Sequence, residues 1–144
     1  TGSAWLVREV EKARGPYMVS ATAQRAALAA LAERDWVAAK AAKAVEHREW
    51  LAAEVRALGL DVLPSHANFL LVRVRDAAGL ARRLRARRVI VRALPGLAVT
   101  GDAIRVGVGP WEAMTAVATA LRSEVNADDA VEPLAARPMS RKSS

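Results

Sequence analysis

The spacing of the apolar residues changes at Gly59, and this change constrains the fold more than any other feature of the sequence. Before Gly59 the apolar residues recur at every third or fourth position, which predicts one helix from Thr22 and a second over residues 35–58. After Gly59 apolar and polar residues alternate, which predicts strands. The expected fold is therefore α/β (α+β), with two N-terminal helices followed by a small sheet that helices cover.

Four short strands and two more helices are predicted after Gly59. The strands are expected over residues 60–63, 68–75, 89–92 and 103–108, with a loop over residues 94–96. Asp76 is a suitable N-cap for a helix over residues 77–87, and Pro110 suits the first position of the last helix. No apolar period survives beyond residue 126, so residues 127–144 are predicted to form a disordered tail.

Arg105 is the main candidate for a binding residue. In the predicted strand 103–108, Ile104 and Val106 share one face, and Arg105 lies on the other between Ala103 and Gly107. An arginine between such small residues has open space around it, and its planar fork suits a carboxylate or a phosphate. Arg92, at the end of the preceding predicted strand, is the second candidate. The alternative is that both are ordinary surface arginines.

The inventory of catalytic side chains is small. The sequence contains no cysteine, which excludes disulfides, thiolate catalysis and cysteine-based metal sites. Its two histidines, His47 and His66, lack the residue spacing of a zinc site or a catalytic triad. Gly107 and Gly109 lack the third glycine of a dinucleotide-binding loop. We therefore predict no metal site and assign no catalytic residue in this chain.

The charge leaves a second class of function open. The chain has 22 Lys+Arg against 15 Asp+Glu and a net charge of +7, which is compatible with a non-catalytic basic module that binds an acidic partner or nucleic acid. Such a module would use the arginines of one stretch: Arg73, Arg75, Arg82, Arg83, Arg85, Arg87 and Arg88. No aromatic residue lies between Arg73 and Arg88, so a surface that stacks bases is not expected and nucleic acid is the weaker alternative.

An ordered set of motifs resembles a known family. Residues 65–72, Ser-His-Ala-Asn-Phe-Leu-Leu-Val, resemble the S-x-A-N-F strand of histidinol-phosphate aminotransferases. Residues 89–92, a Pro-Gly loop and residues 104–109 follow in the order of that family, and residues 7–17 resemble the segment that leads into its small domain. The resemblance covers about residues 4–125 and indicates an aminotransferase of class I/II, fold type I.

This resemblance implies a function and a set of site residues. Such enzymes use pyridoxal 5′-phosphate to transfer an amino group, here between an amino acid or histidinol phosphate and a 2-oxo acid in histidine biosynthesis. The residue matching Arg105 binds the anionic group of the substrate, and the one matching Arg92 joins it at a phosphate. Tyr17 and Asn68 match positions near the active site. The family also implies a homodimer with a small anionic substrate.

The resemblance also implies how the chain is organised. Residues 1–34 are expected to be the end of the large cofactor domain with its connecting helix, residues 35–126 the C-terminal small domain, and residues 127–144 the tail. No lysine of this chain matches the one that binds the cofactor, so the chain is expected to lack cofactor-binding residues and to be inactive when isolated.

The sequence also bears on location. No run of apolar residues is long enough for a transmembrane helix, and the first residues lack the pattern of a secretory signal. Together with the lack of cysteine, this leads us to expect a cytoplasmic location and no membrane partner.

Overall fold

The computed structural model describes residues 2–15 and 18–134. In this part of the chain the elements follow in the order α1 Ala4–Lys12, α2 Ala21–Ala32, α3 Arg34–Ala57, β1 Asp61–Val62, β2 Phe69–Arg73, α4 Ala77–Ala86, β3 Arg92–Leu97, β4 Gly101–Gly107 and α5 Trp111–Glu124. They divide into two compact units, of which the first ends at Lys40 and the second begins at Ala41. No described helix is both long enough and apolar enough to cross a membrane.

The first unit contains α1, α2 and the start of α3. Ser3 and Ser20 cap the first two helices, each accepting a backbone N–H three residues on through its hydroxyl oxygen, at 3.3 and 3.2 Å. No residue of α1 or α2 is buried. Large apolar side chains such as Trp5 and Leu28 are 67% and 68% exposed. Capping and helix propensity therefore define these helices locally, while their apolar side chains remain uncovered.

The second unit is built on a four-stranded sheet with the order β1-β2-β4-β3. Every neighbouring pair is antiparallel. The two central strands pair over five residues, from Phe69 opposite Gly107 to Arg73 opposite Ala103. This α/β arrangement confirms the expected fold class, and the strands predicted over residues 60–63, 68–75 and 103–108 all form with shorter or slightly shifted ends.

One face of the sheet forms the core of the second unit. Leu70, Val72, Ile104 and Val106 are at most 2% exposed on this face. They belong to one cluster with residues of three helices: Leu51 and Val55 of α3, Leu80 and Leu84 of α4, and Met114 and Leu121 of α5. Each fully buried leucine or valine stabilises the fold by about 1.5–3 kcal/mol. Since Ile104 is buried and Arg105 is exposed, the predicted division of β4 into two faces is confirmed.

The third strand lies further along the chain than its sequence predicts. A strand was expected over residues 89–92 and a loop over residues 94–96, but β3 spans Arg92–Leu97. The N–H of Val89 donates to the carbonyl of Leu84 at 3.0 Å, so the chain after α4 completes a helix-terminating turn before the strand begins.

Pro95 and Gly96, which usually form a loop, lie within β3 because β3 is at the edge of the sheet. β3 is an edge strand, where the missing N–H of Pro95 leaves no ladder bond unmade. The register shifts between Leu94 and Leu97, and Gly96 takes up the irregularity with φ = 65°. Its N–H donates to Asp102 Oδ1 at 2.9 Å. Residues that signal a turn therefore form a bulge here.

Residues 127–134 also differ from the expected disordered tail. Ala127–Asp129 form a 3-10 helix, and the Asp129 side chain accepts two hydrogen bonds of 2.7 Å from Arg83 Nη2. Further on, the Glu132 carbonyl accepts a bond from Arg73, and the Leu134 N–H donates to Asp61. These polar contacts order a segment without apolar periodicity. The remaining predicted tail, residues 135–144, lies outside the described residues.

Candidate anion-binding site

The sheet face opposite the core, which we call the outer face, carries the candidate residues. It presents alternate residues of the three longer strands: Phe69, Leu71 and Arg73 of β2, Arg92 and Leu94 of β3, and Ala103, Arg105 and Gly107 of β4. Arg92 and Arg105 are both exposed. The alternation that buries Ile104 and Val106 is thus also what presents Arg105 to solvent.

Arg92 and Arg105 are register partners across the β3–β4 pair. Residues directly opposite each other in an antiparallel pair have Cβ atoms about 4.5–5.5 Å apart and project to the same side. Within the described ranges, no carboxylate forms an ion pair with either side chain. Two like charges in this arrangement repel each other, and a bound anion would relieve that repulsion. The structure therefore brings the two predicted binding residues together.

Phe69 completes this arrangement. Its ring centroid lies 5.1 Å from Cζ of Arg105, within the range of a cation–π interaction. The residue opposite Phe69 on β4 is Gly107, and a Cβ added there would meet no atom within 4 Å. Space beside the ring and the guanidinium is therefore open. Phe69 is not among the binding residues expected from the sequence, and the available signal for it is its place on the same strand face as Leu71 and Arg73.

The other predicted neighbours of the site are less well connected to it. Asn68 is exposed just before β2, and its backbone carbonyl accepts a 2.8 Å bond from the N–H of Val108. Tyr17 lies outside the described residues. His47 is half-buried, and its Nδ1 is 2.9 Å from the Gly109 carbonyl. Its ring centroid lies 5.3 Å from that of Trp111, so His47 joins α3 to the loop after β4 and to the start of α5 and has a structural role.

Three arginines of the alternative basic surface are already held by carboxylates. Arg73 is 3% exposed and donates from Nη1 to Asp61 Oδ2 at 2.7 Å. Arg83 pairs with Asp129 at 2.7 Å, and Arg87 pairs with Glu124 at 2.6 Å. The exposed arginines left in that cluster are Arg75, Arg82, Arg85 and Arg88. A basic surface for nucleic acid is correspondingly smaller than the sequence suggests.

Most of the chain matches known proteins. The family described as "Aminotransferase class I and II" matches residues 1–121. Histidinol-phosphate aminotransferase 2 of Gluconobacter oxydans (strain 621H) is 38% identical over 108 residues, which are 74% of this chain and 30% of that protein. Histidinol-phosphate aminotransferase of Sphingopyxis alaskensis is 36% identical over 127 residues, which are 84% of this chain and 34% of that protein.

The fold is also similar to a solved structure. The crystal structure of histidinol-phosphate aminotransferase from Sinorhizobium meliloti in complex with pyridoxal-5′-phosphate superposes with a TM-score of 0.66 at 28% identity, over 82% of this chain and 34% of that chain. These matches confirm the resemblance drawn from the motifs. The chain spans only 30% and 34% of the length of the two relatives named above.

Proposed function

Because this chain belongs to the aminotransferase class I and II family, we propose that it supplies the substrate-anion-binding part of a pyridoxal 5′-phosphate-dependent aminotransferase. Arg105 and Arg92 are the binding residues. The observation that carries the proposal is their direct pairing on the outer face without a carboxylate partner among the described residues. The Arg105 guanidinium donates two parallel hydrogen bonds to the anion, and Arg92 adds a second positive charge.

A phosphate monoester is the anion that suits two adjacent arginines best. A carboxylate carries one negative charge and is neutralised by one guanidinium. A phosphate dianion carries two negative charges and has enough oxygens to bind two guanidinium groups. The named relatives are histidinol-phosphate aminotransferases. We therefore propose amino-group transfer between histidinol phosphate, or a related amino acid, and a 2-oxo acid, in a homodimeric cytoplasmic enzyme.

The described residues do not by themselves fit pyridoxal 5′-phosphate. That cofactor supplies an electron sink and needs a positioned lysine to hold it. Lys12 is 71% exposed and pairs with Glu9 on α1, and Lys40 lies over the ring of Trp36, 5.5 Å from its centroid. Lys43 is exposed on α3. None is desolvated, as a lysine acting as nucleophile requires. We propose that the cofactor-binding residues belong to the part of the relatives that this chain does not span.

The test is a titration of the chain with histidinol phosphate and, in parallel, with histidinol. We expect the phosphorylated compound alone to bind saturably. Arg105→Ala removes charge-assisted hydrogen bonds and should raise its Kd roughly 10- to 150-fold. Arg105→Lys should not restore binding, because an ammonium is a point charge and cannot bind in the same two-pronged manner.

The matched control is Arg82→Ala, which removes an exposed arginine of the same charge from α4. This change should alter the Kd by less than about twofold, as expected for a screened surface charge. Equal effects of Arg105→Ala and Arg82→Ala would show that binding follows net charge, which would contradict the proposal and favour the basic-module alternative.

A further inference from the structure

Arginines in the second unit are held in two different ways. Arg73 and Arg83 are each fixed by a carboxylate, with N–O distances of 2.7 Å to Asp61 and Asp129. Arg105 has no such partner among the described residues, and the contact that its guanidinium makes there is with the ring of Phe69, 5.1 Å from Cζ to the centroid. The ring thus takes the place at Arg105 that a carboxylate takes elsewhere.

We propose that Phe69 is a positioning residue for Arg105, one that orients its guanidinium toward the anion without neutralising it. This inference rests on the proposed function of Arg105. An aromatic face attracts a guanidinium through its quadrupole and packs against the plane of the group. The five N–H donors at the edge of that plane stay available to an anion. A carboxylate at the same place would occupy two of them and compete with the ligand.

The strand register supports this role. Phe69 pairs with Gly107 and Leu71 pairs with Arg105, so the Phe69 ring reaches Arg105 along the diagonal of the β2–β4 ladder. Phe69 is half-buried. Because a Cβ added at Gly107 would meet no atom within 4 Å, a ligand has open space beside Arg105 on β4 from which to approach the guanidinium. The long Arg105 side chain, which would otherwise sample many rotamers, is then ordered before the anion binds.

The experiment titrates the full chain with phenyl phosphate and follows the side-chain resonances of Arg105 by NMR. Phe69→Leu keeps an apolar side chain but removes the aromatic face, and we expect it to raise the Kd about 3- to 10-fold. Phe69→Tyr keeps the face and should restore the Kd to within about twofold of wild type. The ring-current shift on the Arg105 protons should disappear with leucine and return with tyrosine.

A second measurement separates positioning from a merely structural effect. In the Arg105→Ala background, Phe69→Leu should cause no further loss of affinity, because the ring then has no guanidinium to orient. Leu71→Val, a change at the residue paired with Arg105, is the control for loosening of β2 and should leave the ring-current shift in place. Should Phe69→Leu fail to fold, Phe69→Met provides the same test with a flexible apolar side chain.

The outcomes distinguish the two claims. If wild type binds no phenyl phosphate, or if Arg105→Ala leaves the Kd unchanged, the proposed function fails and the role of Phe69 fails with it. If Arg105→Ala weakens binding while Phe69→Leu does not, Arg105 remains the binding residue and the positioning role is overturned. An equal loss from Phe69→Leu with and without Arg105 would also overturn it.

Discussion

At the scale of single residues, the partner of an arginine decides what the arginine does. Arg73 is buried and donates to the carbonyls of Thr100 and Glu132 as well as to the Asp61 carboxylate, so each of its bonds joins parts of the fold. Arg105 is exposed on the same face of the sheet. The first is therefore a structural residue and the second a candidate for binding, although the sequence presents both as alternating strand arginines.

This difference leads to a prediction for Arg73. Arg73→Leu removes the cation paired with the Asp61 carboxylate, which keeps only the Leu134 N–H, and removes the guanidinium bonds to two carbonyls. Breaking a buried pair of this kind lowers the free energy of unfolding by about 3–5 kcal/mol. Urea denaturation measures the change. Arg82→Leu, on an exposed face of α4, should stay within about 0.5 kcal/mol of wild type. Similar losses for the two variants would contradict the structural role of Arg73.

Arg88 provides a second prediction at this scale. It follows α4 with φ = 63°, a left-handed conformation that costs a non-glycine residue about 1–2 kcal/mol. Arg88→Gly should therefore raise the free energy of unfolding by about 1 kcal/mol. Arg85→Gly, inside the same helix, should lower it by about 1 kcal/mol. A loss of stability in both variants would show that the Arg88 side chain contributes more than its backbone strain costs.

The sequence predicts the placement of a residue correctly where that placement depends only on the alternation of apolar and polar residues along a strand. The period-2 pattern was enough to separate Ile104 from Arg105, because the two faces of a strand follow directly from its geometry. The contact between Phe69 and Arg105 depends on the register of β2 against β4, which nonlocal packing determines. No local pattern in the sequence contains that information.

At the scale of elements, local signals and edge effects compete. Asp76 was expected to cap α4, and its Oδ1 does accept the Gly79 N–H at 2.7 Å. β3 was misplaced because Pro95 and Gly96 usually indicate a loop, and only the position of the strand at the edge of the sheet makes them acceptable within it. Strand order is a property of the whole sheet, so a scan of short windows does not reveal it.

The segment 126–134 gives a prediction at this scale. Asp129 pairs with Arg83 and accepts the Asn126 N–H, and its carbonyl accepts the Arg75 N–H at 3.1 Å. Asp129→Ala should therefore detach the segment and lower the hydrogen-exchange protection of the Arg75 amide at least about tenfold. Asp128→Ala, at the exposed neighbouring position, should leave that protection unchanged. Unchanged protection in both variants would contradict the idea that Asp129 anchors the segment.

At the scale of the whole molecule, all the buried apolar residues in the described ranges 2–15 and 18–134 come from the second unit, between Leu51 and Leu121. Deleting residues 1–40 should therefore leave a protein that unfolds cooperatively, with a free energy of unfolding within about 1 kcal/mol of the full chain. Urea denaturation followed by circular dichroism measures this. The opposite deletion, of residues 41–144, should leave no cooperative transition. Loss of cooperativity in the first variant would show that the first unit contributes to the core.

The absence of a desolvated lysine among the described residues predicts the catalytic behaviour of the chain. With pyridoxal 5′-phosphate, histidinol phosphate and a 2-oxo acid as amino acceptor present, the chain should show no transamination. With the cofactor alone, borohydride reduction should trap no stoichiometric adduct on one lysine. Peptide mapping after reduction is the measurement, and the Gluconobacter oxydans relative is the positive control. A single modified lysine together with turnover would overturn the proposal that the cofactor-binding residues lie outside this chain.

The two edges of the sheet bear on aggregation. An open edge strand can template further strands from other molecules. β1 is only two residues long, and its Asp61 carries a carboxylate, whose Oδ2 accepts the Leu134 N–H. β3, at the other edge, carries a proline without an N–H, a bulged glycine and the charge of Arg92. The charge of Arg92, which we propose for binding the anion, thus also disfavours pairing of β3 with other strands, and we expect its replacement by an apolar residue to lower solubility as well as anion affinity.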